Sequence, residues 1–180
     1  MINIGWGNVG NPKTFYTFTP ANHIQLKMTT FIGKYTAKAD VKGRVFIPSA
    51  YRKILPEGSR EQVVMRKDAE NQCLVIYPVS IWNEKLTNFK SKLDEWNPVD
   101  QMLLMQFVSE AEWLDIDSQG RVLISKHHLE AIGLENAEVL FVGMIDRFAV
   151  WSRAKYEEAS MSATDFAALL RNRMSNKQED

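Results

Sequence analysis

Two short stretches of this 180-residue chain carry the same polar residues at the same spacing: Asp40-Val41-Lys42-Gly43-Arg44 and Asp117-Ser118-Gln119-Gly120-Arg121. A carboxylate four positions before a guanidinium can pair with it, and it can also accept hydrogen bonds from the amides of a tight turn between them. The guanidinium is a permanently charged planar donor, suited to phosphate oxygens or base edges rather than to covalent chemistry. From the residues alone two readings stay open. The pair can be an ion pair that fixes hairpin register, or it can hold an arginine that has a further binding task.

The other reactive residue types do not assemble into a catalytic set. His127 and His128 are adjacent, so on a helix they point about 100° apart and do not make the one-face pair that metal ligation needs. Cys73 opens the apolar run Cys73-Leu74-Val75-Ile76-Tyr77 and reads as a buried small hydrophobe. Asp115 and Asp117 share a strand face and imitate a carboxylate pair, but the turn motif already claims Asp117. There is no phosphate-cradling glycine loop, nucleophile elbow or cysteine cluster. The expectation is a binding protein, not an enzyme, with no cofactor and no metal.

The elements that would position the arginines can be read from period and punctuation. Lys42-Gly43 and Gln119-Gly120 mark tight turns, each expected to close a hairpin: Tyr35 to Asp40 with Arg44 to Ile47, and Trp113 to Asp117 with Arg121 to Ile124. Period-two alternation puts Val45 and Ile47, or Val122 and Ile124, on the face opposite the arginine, which therefore points away from the core. Short helices follow each hairpin, one opened by Pro48-Ser49 and the other capped by Ser125 and stopped by Gly133. Val63 to Arg66 with Cys73 to Tyr77, and Val139 to Val142 with Phe148 to Trp151, read as further strand pairs. Trp82, Leu86, Phe89, Leu93 and Trp96 recur at helical steps, which predicts a helix over 79–96 whose stripe serves core or subunit contact. Val99 to Phe107 and two terminal segments, the last capped by Ser162-x-x-Asp165, are expected helices.

These residues carry a family resemblance. Phe31-Ile32-Gly33-Lys34-Tyr35, Asp40 to Pro48 and Tyr51-Arg52 resemble the opening of the bacterial MraZ regulators. Gly120 to Ile124, Gly133-Leu134, Val142-Gly143 and Asp146-Arg147-Phe148-Ala149-Val150-Trp151 resemble that family's second repeat. The resemblance implies an α+β, mainly β fold: a pseudo-twofold AbrB-like swapped-hairpin (double-split) β-barrel from two repeats, with peripheral helices. It implies repeats over 31–96 and 113–160, a helical linker over 97–112 and a C-terminal helix and tail over 161–180. It further implies a sequence-specific regulator of the cell-division and cell-wall gene cluster, binding short direct repeats in its own promoter as a ring-like homo-oligomer. The implied DNA-binding residues are Lys38, Lys42, Arg44 and Arg121, with Lys34, Arg52 and Lys53 as secondary candidates and Asp40, Gly43, Asp117 and Gly120 organising the turns. Departures fall in the second repeat, where Ser125 stands for Pro48, neutral Gln119 for Lys42, and Ala149 for an acidic residue, so Arg121 is expected to contribute less than Arg44.

Formal charge is zero, yet residues 31–60 hold seven cations against Asp40 and Glu57, while 61–115 hold five cations against ten anions. Basic charge is thus concentrated around the first motif, as expected for contact with double-stranded DNA. No apolar run approaches a membrane span, and a cytoplasmic, nucleoid-associated protein is expected. Residues 1–27 are rich in Asn, Thr and Gly and lack periodicity; they read either as an extension ahead of a start at Met28 or as a disordered basic arm carrying Lys13 and Lys27. The competing binding-module reading is an AbrB-like antitoxin with a protein partner; it would usually need an extended toxin-binding tail, whereas this chain spends its length on a second repeat. A structural ring without DNA contact is the third.

Overall fold

The computed structural model of the chain describes residues 30–134 and 137–175; the readings made on residues 1–27 and on the polar tail 176–180 lie outside these. The first half runs β1 (Lys34–Lys38), β2 (Arg44–Phe46), α1 (Ser49–Arg52), a 3-10 turn, β3 (Gln62–Lys67), β4 (Leu74–Pro78) and α2 (Val79–Lys90). After α3 (Pro98–Ser109) the order repeats as β5 (Ala111–Asp115), β6 (Arg121–Leu123), α4 (Lys126–Ala131), β7 (Glu138–Gly143), β8 (Phe148–Ser152) and α5 (Arg153–Ala159), followed by α6 (Ala163–Ser175).

The fold is α+β, dominated by one antiparallel sheet of six strands in the order β1-β7-β8-β4-β3-β5, with β2 and β6 paired as a separate ribbon. Exchanging the two halves leaves both orders unchanged. The twofold passes through the pairs Val75↔Ala149 in the sheet and Val45↔Val122 in the ribbon. Each half lends its first strand to the other: β1 pairs with β7, and β5 with β3.

This pairing corrects the hairpin expectation. β1 and β2 leave a tight turn but are joined only by the bridge Ala39↔Val45, because β1 takes its ladder from β7 and β2 from β6. Sheet and ribbon remain separate ladders, and no closed barrel is found among the described residues.

Strands β3, β4 and β8 read as continuous apolar runs because both of their faces are covered. Val63, Met65, Leu74, Ile76, Phe148 and Val150 face one core, which the ribbon, α1 and α4 close. Val64, Val75, Tyr77 and Ala149 face a second core, closed by Trp82 of α2 with Phe107 of α3 packed against it. Cys73 is buried in this second core, and burial pushes its thiol up to about 12, as fits a packing residue. At the centre of the first, Phe148 packs between Phe31, Tyr51 and Phe141 with ring centroids 5.0 to 5.9 Å apart.

The helix expected over 79–96 stops at Lys90. Beyond it the chain turns: Asp94 Oδ1 accepts from the Trp96 amide and the Asp94 amide donates to Asp100 Oδ2. Trp82, Leu86 and Phe89 keep the inward stripe, whereas Trp96 is 88% exposed. Asn97 then caps α3 through the Val99 amide, and Ser162 with Asp165 forms the capping pair of α6 that the sequence predicts.

Replacing Phe148 by alanine should cost about 3–5 kcal/mol in denaturant unfolding, the range for a large aromatic lost from a closed core. Trp96→Ala should stay within about 0.5 kcal/mol; a large loss there would restore Trp96 to the core stripe.

Candidate nucleic-acid interface

Both turns are built in the same way. Asp40 Oδ1 accepts from the amides of Lys42 (2.9 Å) and Arg44 (3.0 Å), and its Oδ2 accepts from Arg44 Nε at 2.6 Å. Asp117 Oδ1 likewise accepts from the amides of Gln119 and Arg121, both at 2.9 Å, and Oδ2 from Arg121 Nε at 2.7 Å. Each aspartate thus ties a turn and aims the guanidinium that leaves it. The Arg44 amide, ahead of that residue's guanidinium and the Lys42 amide, holds the Asp40 carboxyl well below its usual range, at about 2. Asp117 is lowered for the matching reasons.

The glycines let the turns dock on the opposite half. Gly43 has φ +87, and a Cβ there would strike the Ile124 carbonyl; its own carbonyl accepts from the Ile124 amide at 2.9 Å. By the twofold, the Gly120 carbonyl accepts from the Ile47 amide at 3.0 Å. Tip and scaffold are therefore one hydrogen-bonded unit.

Alternation along the ribbon buries Val45 and Val122 and turns Arg44, Phe46, Arg121 and Leu123 outward. The two arginines differ in company. Arg44 lies opposite Leu123 and keeps 39% of its side chain exposed, with only Nε hydrogen-bonded, to Asp40, among the described residues. Arg121 lies opposite Phe46, with its guanidinium 5.6 Å from the ring centre, and is 21% exposed; Nε and Nη2 both sit 2.7 Å from Asp117 Oδ2. Lys42 is exposed at the first tip, and Lys38 is exposed one strand away, opposite Glu138. Lys34, at the other end of β1, lies over the Tyr156 ring at 5.1 Å.

Two features escape the sequence reading. Phe46 and Leu123 share the arginine face and are exposed, a placement that alternation alone could have shown. Arg52, in α1 of the first half, crosses to the second turn: Nε donates to the Ile47 carbonyl (3.1 Å), Nη1 to the Gln119 carbonyl (3.5 Å), and the guanidinium lies against Gly120. Leu129, in the same place after the second turn, lies against Gly43 instead. No local signal marks that contact, because the partners are far apart in sequence.

Comparison with known proteins follows the same two-part division. Residues 30–105 and again 107–175 match the family described as "MraZ protein, putative antitoxin-like". A protein of Bacteroides fragilis named Transcriptional regulator MraZ is 40% identical over 143 residues, covering 79% of this chain and 90% of the relative. A protein of the same name from Bacteroides thetaiotaomicron is 39% identical over 150 residues, covering 83% of this chain and 96% of the relative. A more distant one, from Christiangramia forsetii, is 29% identical and covers 85% and 98%.

The turn geometry makes a titration testable. The folded-state value of Asp40 lies below its ordinary 3.8, so its stabilising share is present above that pH and is lost as pH falls toward about 2. Carboxyl NMR should therefore find the Asp40 midpoint near 2, and Asp40→Asn should remove that step from the acid-unfolding curve. In Arg44→Ala the midpoint should rise only part of the way, since the backbone amide of residue 44 still donates. A midpoint at the ordinary value in the unmodified protein would show the turn bonds to be absent in solution.

Proposed function

The chain belongs to the MraZ family, and from that premise we propose that it is a transcriptional regulator gripping promoter DNA through its two turn tips. The observation that carries this reading is the outward Arg44, aimed by Asp40 through Nε with its terminal nitrogens left to meet an oxyanion or a base edge. Lys42 and Lys38 add charge beside it, and Arg121 is the secondary contact because Phe46 and Asp117 already occupy it. The target is a set of short direct repeats in the protein's own promoter, within the cell-division and cell-wall gene cluster.

The strand exchange supports reading the architecture as an AbrB-like swapped-hairpin scaffold supplied by one chain. Its parts are repeats over 31–96 and 113–160, a linker over 97–112 and the C-terminal segment 161–180. A single tip offers few phosphate contacts, so useful affinity calls for several tips acting together. A ring-like homo-oligomer meets this need. Support for assembly comes from α3, with Met102, Met105 and Val108 exposed, and from α6, with Phe166, Leu170 and Met174 exposed. The site of action is the cytoplasm, at the nucleoid; no helix among the described residues is long and apolar enough to cross a membrane.

The family's description also names an antitoxin-like character, which favours one second reading: a DNA-binding module that holds a protein partner. Copurification of a single stoichiometric partner from cells would favour it.

A gel shift with the DNA upstream of the protein's own gene tests the main reading. The shift should weaken steeply with salt, Arg44→Ala should reduce affinity by about tenfold or more at unchanged melting temperature, and Arg121→Ala should cost less. Full affinity in Arg44→Ala would remove the tip from the interface.

A further inference from the structure

The motif Asp146-Arg147 at the β7–β8 turn takes no part in the tips, yet it closes a hollow of about 330 Å³ against one side of α2 and the end of α3. Ile81, Lys85 and Phe89 of α2 line one side and Phe107 the other. Lys85 Nζ stands 5.8 Å from the Tyr77 ring centre and the Arg147 guanidinium 5.6 Å from it, while Arg66 stacks 4.3 Å from the centre of the Phe107 ring.

The cations are unequally served. Arg147 has Asp146 at 3.2 Å, and Arg66 donates to the Phe107 carbonyl at 3.2 Å with Glu110 at 3.9 Å. Lys85 is half-buried and its ammonium has no hydrogen-bond acceptor among the described residues. Burial, then Arg147 and Arg66, push its pKa down against a smaller opposing pull from Asp146 and Asp68. The turn that aims Arg147 is held tightly. Ile145 sits at φ +72, a strained conformation for a β-branched residue, and is fixed there by two hydrogen bonds with Phe31 and by the Met144 amide donating to the Arg147 carbonyl at 2.8 Å.

The geometry points to a binding site for a small phosphate monoester bearing a planar ring, its dianion between Lys85 and Arg147 and its ring against Phe89 and Ile81, since Arg66, Phe89 and Trp82 already pack on the Phe107 ring. The volume lies at the small end of ligand pockets, and the lining combines apolar side chains with three cations, Lys85, Lys92 and Arg147, against the two carboxylates Glu84 and Asp146, so the cations are in excess. A dianion supplies the acceptor that Lys85 lacks and offsets the repulsion between the cations. The site faces α2 and α3 and is separate from the turn tips, so it does not depend on DNA contact.

Phenyl phosphate is the probe, titrated into the full chain by calorimetry and by amide NMR. It should bind saturably, with shifts centred on Lys85, Phe89 and Arg147 rather than on residues 42–44. Lys85→Gln and Arg147→Gln should each weaken it by about tenfold, while Lys53→Gln, an exposed cation elsewhere, should stay within about twofold. Inorganic phosphate should bind less tightly than phenyl phosphate, because it leaves the ring contact unmade. The melting temperature of Lys85→Gln should be unchanged or raised, which separates lost binding from lost folding. Absence of saturable binding, affinity unchanged from the unmodified protein in both glutamine variants, or shifts confined to the turn tips would overturn the site.

Discussion

The ladders between β1 and β7 and between β5 and β3 decide what each half of the chain can be. Without the exchange, β3 and β7 would be sheet edges with unpaired backbone groups, and β2 would have no partner but a single bridge. Once β1 and β5 are committed across the twofold, the turn following each strand is carried onto the opposite half. There Gly43 and Gly120 dock on the backbones of Ile124 and Ile47. The tips are therefore rigid through long-range pairing rather than through their own hairpins. That rigidity matters for any recognition task, since a guanidinium held in place loses less freedom on meeting its partner.

Within this common frame the halves have diverged. The aspartate turns match in partners and distances, so backbone and carboxylate geometry are duplicated faithfully. The surroundings are not. Phe46 covers Arg121, while Leu123 stands opposite Arg44 and leaves it more exposed. Leu129 backs the first tip with an apolar side chain, and Arg52 backs the second with a cation, beside the position where Gln119 replaces Lys42. Each turn supplies its own arginine, and the second cation enters by different routes: Lys42 from the turn itself in the first tip, and Arg52 from the other half's helix in the second.

What the sequence made legible is what local physics determines. The Asp-x-x-Gly-Arg turns, the Ser125 and Ser162 caps and the outward face of Arg44 all depend on residues within about four positions of one another, and all are present. Two things were not legible. Strand partners are fixed by which edge is free after the exchange, so a turn that signals a hairpin produced two strands with different partners. The apolar period runs on through Leu93 and Trp96 past the end of α2, while the competing hydrogen bonds of Asp94 with Trp96 and Asp100 break the helix after Lys90. Arg52's reach to Gln119 belongs with the partner problem: it exists only because the halves interlock.

A chain of zero formal charge is compatible with contact to a polyanion when its charges are sorted in space. At physiological ionic strength a charge is felt over roughly 8 Å, so a phosphate at the ribbon face responds to Arg44, Lys42 and Arg121 and hardly to acids beyond that distance. Asp40 stays ionised and offsets one positive charge at the first tip, so Lys42 supplies the excess there; the Asp40 carboxylate itself is tied to two amides and one guanidinium nitrogen. Its role is to remove conformational choices from Arg44 while leaving the terminal nitrogens of that side chain outward. Sorting of the same kind operates around α2, where Lys85 stands among cations that have partners and it does not. In both places the informative quantity is not net charge but which donor nitrogens are left without a hydrogen-bond acceptor: the terminal pair of Arg44 and the ammonium of Lys85.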